Sequence, residues 1–255
     1  MYTVGCIFVD HASGFIFVEH QVSLNSHETL KAKESFERMC RNTGVTPQEY
    51  LADNSKTFTS AEFSRNLSEF QQVIRFAGVG AHHHNGIAER NIRTIMAIAR
   101  TMMLHSAIHW PDVADPTLWP LAVKHAVFLV NHMPDPRTGL SPHDVFTKTR
   151  WEQKKLMDVH VWGCPVYVLD KMISDGKKLP RWTPRSTRTV NLGFSDKHAS
   201  SVPLVLNPQT GYITPQFHIV SSTIGSPPFP LPPTTFQTST TTAGNVSSAM
   251  KTKKG

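Results

Sequence analysis

The 255 residues, 39% hydrophobic and 18% charged, are enough for one large or two modest domains around a packed core. No apolar run is long enough to cross a bilayer and no charged-then-apolar leader is present, which argues against a membrane-spanning or secreted chain. Cys6, Cys40 and Cys164 are scattered and form no CxxC pair, so a disulfide framework and a structural zinc site are not expected, whereas the net charge of +7 leaves a polyanionic partner open.

In chain order, "YTVGCIFVDHASGFIFVEHQV" reads as two strands joined at His11-Ala12-Ser13-Gly14. Val4, Cys6 and Phe8 point one way and Ile7 and Val9 the other, so both faces of the first strand are apolar. Asn25, with Glu28 three residues on, opens a helix that Gly44 stops. A short strand runs up to Leu51 and Ala52, a helix starts near Ser60, and Gln72 to Phe76 reads as another strand. The alternation predicts a mixed α/β sheet flanked by helices. "AGVGAHHHNG" reads as a mobile loop, followed by the helix "IAERNIRTIMAIAR" and then by "LWPLAVKHAVFLVNH", a helix ending before Pro134.

A linker is expected from about Ser141 to Met157. Between Lys148 and Arg188 ten basic residues, Lys154 and Lys155 among them, stand against four acidic ones, whereas the first 110 residues carry ten of each. This local excess suits a surface that follows a polyanion, and equally a solvated basic linker. "CPVYVL", "RTVNLGF", "VPLVLN" and "YITPQFHIV" read as short strands, the last two joined by "NPQTG". From Ser221 the chain is rich in Pro, Ser and Thr and is expected to be disordered.

Two acids invite a chemical reading. Asp53 falls where a strand gives way to loop, Glu89 falls in the first turn of a helix, and thirty-five residues separate them. Carboxylates so placed converge at one sheet edge and suit Mg²⁺, with water and phosphate as its other ligands. Two surface charges would give the same spacing. At about 100° per residue, Glu89, Arg90, Arg93, Ala97 and Arg100 share one side of the helix, opposite Ile92, Ile95, Met96, Ala99, Met102 and Met103. The first set is a stripe for DNA phosphates or the exposed face of an ordinary amphipathic helix.

"LADNSKTFTSAEF", "HHHNGIAERNIRTIMAIARTMM", "LWPLAVKHAVFLVNHMPDP" and "SPHDVFTKTRWEQKKLMDVHVWGCPVYV", in that order, resemble the integrase segment of copia-type retrotransposon polyproteins, with the match running to about Val220. The resemblance implies a ribonuclease H-like core at residues 1–140, a basic linker at 141–157, a small β-barrel-like domain at 158–222 and a disordered tail at 223–255. It implies Mg²⁺-dependent processing and joining of DNA ends, with Mn²⁺ as a substitute metal and no zinc in this stretch. Asp53 and Glu89 match the second and third catalytic acids. Asn85 and Gly86 match the end of the active-site loop and Arg90 and Arg93 its basic helix, so DNA contacts are expected at His84, Asn85, Arg90, Arg93, Arg100, Lys154 and Lys155. The partners implied are element and target DNA and further copies of the chain, in nucleus and cytoplasm.

Asp10 does not match the first acid of the family. "IFVDHASGFIFVE" resembles the second strand and the turn after it, whereas the first acid belongs to the preceding strand. An Asp before a tight turn serves its own backbone. The expectation is therefore a chain short of its first strand and its first acid, inactive by itself. A non-catalytic nucleic-acid-binding remnant is the other reading.

Overall fold

The computed structural model describes residues 2–76, 86–151, 156, 159–198, 202–221 and 247–248. These fall into two compact units, the first drawn from residues 1–98, 126–153 and 244–255 and the second from 99–125 and 154–243.

In the first unit β1 (Val4–Val9) and β2 (Ile16–Gln21) pair antiparallel, with Cys6 opposite Glu19 and Phe8 opposite Phe17. The Asp10 carboxylate accepts the Ser13 amide at 2.8 Å, and Gly14 takes φ +73° to close the turn. Asp10 thus does the local work expected of a turn residue. Helix α1 (Ser26–Asn42) starts on the Asn25 side chain, which accepts from the Glu28 amide at 2.7 Å. It stops before Gly44, whose φ of +73° a side chain would strain. β3 (Glu49–Ala52) and β4 (Val73–Phe76) are parallel, the crossover between them supplied by α2 (Ala61–Glu69) with Ser60 as its cap.

Aromatic rings hold these elements together. Phe36 of α1 stacks on Phe8 of β1 at 4.7 Å, and Tyr50 of β3 meets Phe8 edge-on at 6.5 Å. Such pairs add about 0.5–1.5 kcal/mol each beyond their burial. One helix therefore covers both ladders. Beneath it lies a buried charge: Lys33 Nζ sits 2.7 Å from Glu37 and donates to Asn66 at 2.6 Å. The Tyr50 hydroxyl and the Gln72 amide each donate to Glu37 at 2.7 Å. Burial works to raise the Glu37 pKa, but the hydrogen bonds from Lys33, Tyr50 and Gln72 outweigh it and hold the carboxyl below its ordinary value.

Helix α3 (Gly86–His109) is followed by a 3₁₀ turn at Pro116–Leu118 and by α4 (Trp119–His132). Asn131 of α4 accepts the Ile16 amide at 2.8 Å and donates to the Ile16 carbonyl at 2.7 Å, satisfying one residue of β2 completely. The supposed linker is partly helical. Residues Pro142–Thr147 form α5, fixed by a capping box in which Ser141 and Asp144 each bond the other's backbone. Its Phe146 stacks on Phe15 at 4.4 Å, so the segment is anchored to the core.

The second unit holds β5 (Pro165–Leu169), a short α6 (Lys171–Ser174), β6 (Ser186–Phe194), β7 (Pro203–Leu206), β8 (Ile213–Pro215) and β9 (Ile219–Ser221). They form a five-stranded antiparallel sheet in the order β8-β7-β6-β5-β9. "YITPQFHIV" is thus two strands on opposite edges. Pro215 has no N–H for a ladder and a fixed φ, so the chain leaves the sheet there. Of the tail expected to be disordered, the described part is Ser247–Ser248 (β10), which pairs parallel with Val4 and Gly5. The expected loop at residues 77–85 lies outside the described residues.

Candidate active site

Asp53 is the residue that follows β3, and Glu89 is the acid of the first turn of α3. Both side chains are half-buried. The Asp53 pKa is raised, first by burial, against hydrogen bonding from Ser55, with the Glu89 charge adding to the rise. That bonding is incomplete. Neither Asp53 Oδ1 nor Ser55 Oγ has a partner of good geometry, and both atoms are shut off from solvent. A buried carboxylate oxygen without a well-formed hydrogen bond, in the field of a second acid, favours a cation nearby.

β1 reaches the same neighbourhood. Burial pushes the Cys6 thiol up to about 12, with Asp53 and then Glu19 adding negative field. Glu19 stands opposite Cys6 in the β1/β2 ladder. Sequence reasoning passed over Glu19; the available signal was an acid directly after the apolar run Ile16-Phe17-Val18 of β2. A thiol held neutral is a poor metal ligand. Among the described residues, no group of three or more His, Cys, Asp or Glu could hold a metal ion. Asp53 and Glu89 are two carboxylates of the kind that Mg²⁺ takes alongside water and phosphate.

Behind Glu89, the Arg90, Arg93 and Arg100 side chains are exposed, as are Thr94 and Ala97, while Ile95 and Ala99 are buried. Ile92, Met96, Met102 and Met103 are half-buried, so the expected two-sided character of α3 is present with a narrow buried seam. His84, Asn85, Lys154 and Lys155 lie outside the described residues, as do His82 and His83. No described helix is long and apolar enough to cross a membrane.

By fold the chain combines a mixed α/β unit with an antiparallel β unit, and its paired acids make it a candidate for metal-dependent chemistry. In sequence it is similar to a segment of retrovirus-related Pol polyproteins of plant transposons. It is 28% identical to that of transposon RE1 from Arabidopsis thaliana over 210 residues, 78% of this chain and 13% of the relative. It is 27% identical to that of transposon TNT 1-94 from Nicotiana tabacum, over 63% of this chain and 11% of the relative. The chain thus spans only a small part of the curated relatives it matches. No family model matches it. Among solved structures it is similar to the HTLV-2 integrase catalytic core domain in complex with magnesium. The identity there is 20%, covering 55% of this chain and 82% of that one, with a TM-score of 0.41. It is also similar to a chain of the simian T-cell lymphotropic virus intasome in complex with the PP2A regulatory subunit B56 gamma. The identity there is 14%, covering 86% of this chain and 72% of that one, with a TM-score of 0.44. The resemblance to a segment of a retrotransposon Pol polyprotein, read from the sequence, is borne out by these relatives.

Proposed function

We propose that the chain is the integrase segment of a copia-type retrotransposon, with a ribonuclease H-like core serving Mg²⁺-dependent DNA 3′-end processing and strand transfer. The observation that carries this reading is the pairing of Asp53 and Glu89, with Asp53 Oδ1 buried and unpartnered. Asp53 and Glu89 would hold a Mg²⁺ ion, which when bound supplies Lewis-acid activation of a phosphodiester. The exposed arginines Arg90, Arg93 and Arg100 of α3 would grip DNA phosphate, and His84, Asn85, Lys154 and Lys155, outside the described residues, are further proposed contacts. Further copies of the chain would share the work.

Among the described residues, β1 pairs with β2 on one edge and meets β10 at Val4 and Gly5 on the other, and β3 pairs with β4. An additional strand bearing an Asp, between these two ladders beneath α1, would complete one five-stranded sheet and the acid set. With two carboxylates alone, the site is proposed to bind metal without joining ends. The second reading is a nucleic-acid-binding remnant without catalysis.

Isothermal titration of Mg²⁺ tests the pairing of Asp53 and Glu89. A single weak site, lost in both Asp53→Asn and Glu89→Gln, is expected. Metal binding that neither substitution changes would remove Asp53 and Glu89 from the account.

A further inference from the structure

The second unit presents a sheet face that the pair of acids does not use. In the ladder Val220 of β9, Tyr167 of β5 and Arg188 of β6 stand abreast, and Leu169 with Ser186 forms the next row. The alternation is clean: Val166, Val168 and Ile219 point to the other face, where they pack in a core with Cys164, Val205 and Trp110. The outward rows are open to solvent, Tyr167 at 40%, Leu169 at 37% and Val220 at 70%. Arg188 is held in place by Asp112 at 2.8 Å and remains half-exposed. An exposed tyrosine between a valine and a fixed guanidinium is a flat apolar platform with a cation at its rim.

We propose that this Val220–Tyr167–Arg188 face binds unpaired nucleotides of a single DNA strand, one base stacking on Tyr167. Three strands and two rows span roughly 10 Å by 7 Å, room for one or two bases. That is far below the roughly 800 Å² per partner of a stable protein interface. The surrounding charge suits a polyanion: residues 159–221 carry seven Lys or Arg and three Asp. A duplex hides the faces of its bases, so a stacking platform discriminates for unpaired strands, whereas the arginines of α3 contact phosphate in either form. The proposal rests on the nucleic-acid reading above and adds the form of DNA that this face selects.

The test is fluorescence anisotropy of the whole chain with a labelled twelve-nucleotide oligothymidine and with a duplex of the same length, at fixed salt. Tyr167→Ala should weaken the single strand about tenfold and the duplex less than twofold, with the salt slope unchanged. Tyr167→Phe should bind as the parent does. Tyr167→Lys, which adds a charge and removes the ring, should also lose the single strand, and thermal melting verifies that each variant is folded. Equal losses on both DNA forms, no loss on either, or a dimer that depends on Tyr167 in the absence of DNA would overturn the proposal. If the parent binds neither DNA, the nucleic-acid reading falls with it; if it binds duplex and ignores Tyr167, only the platform falls.

Discussion

Replacing Lys33 by methionine tests whether the buried charge network under α1 holds the strand that delivers Asp53. Lys33 and Glu37 are 0% and 4% exposed, 2.7 Å apart. Removing the ammonium leaves a buried carboxylate without its counter-ion, a loss of about 3–5 kcal/mol. The hydrogen bonds from Tyr50 and Gln72 survive, so the lower end of that range is expected. The sign with pH follows from the cause. In the parent the Glu37 pKa is depressed, so its contribution is present above the ordinary carboxylate value and is lost as pH falls through the lower, folded value. In Lys33→Met burial is no longer outweighed by the ammonium and the folded pKa rises. The variant is then penalised at pH 7 and recovers as acid protonates Glu37. Urea unfolding at pH 7 and near pH 5 should therefore show a gap from the parent that narrows on acidification, and Lys33→Met/Glu37→Gln should regain part of it at pH 7. A gap under about 1 kcal/mol, well below the penalty of a buried unpaired charge, or one that does not change with pH, would refute the reasoning.

Three further outcomes are expected. Asp53→Asn should raise the melting temperature at pH 7, because the raised Asp53 pKa means that ionisation works against folding; stability in the parent is fully present below the unfolded value and is lost as pH rises through the folded one. Melting curves that show destabilisation would contradict this. Gly193→Ala should cost about 1–3 kcal/mol from its φ alone, and more because the new Cβ would stand 2.6 Å from His125 Nδ1; Gly176→Ala, with φ +74° and open space around it, gives the strain without the clash. Replacing Arg90 and Arg93 by alanine should weaken DNA binding alike on unrelated sequences and lower the salt slope by about two, read by anisotropy titrations at several salt concentrations.

The elements of the first unit were legible because their boundaries are written locally. Asn25, Ser60 and Gly44 cap or stop helices by their own side chain or lack of one, and Asp10 declares its turn. Asp53 and Glu89 were nameable because each lies at such a boundary. What escaped depended on partners distant in sequence or on a local signal masked by composition. Lys33 looks like a solvent-facing helix residue until Glu37, Asn66 and Tyr50 surround it. Glu19 gains meaning only through its register opposite Cys6. The Ser141/Asp144 capping box was readable, but the basic, polar stretch after it read as linker and hid α5. Pro215 likewise carried enough information to split the last strand.

A Mg²⁺-dependent strand-transfer assay on the chain, and on a form extended by an Asp-bearing strand, tests the pairing of Asp53 and Glu89 as an incomplete acid set. The expected result is no joined product from the chain, at most traces in Mn²⁺, because two carboxylates do not neutralise two close divalent ions. The extended form should join ends, Asp53→Asn or Glu89→Gln should abolish this, and Asp10→Asn should lower stability rather than the chemistry. Joined ends from the chain itself, stopped by Asp10→Asn alone, would contradict it and make Asp10 the first acid.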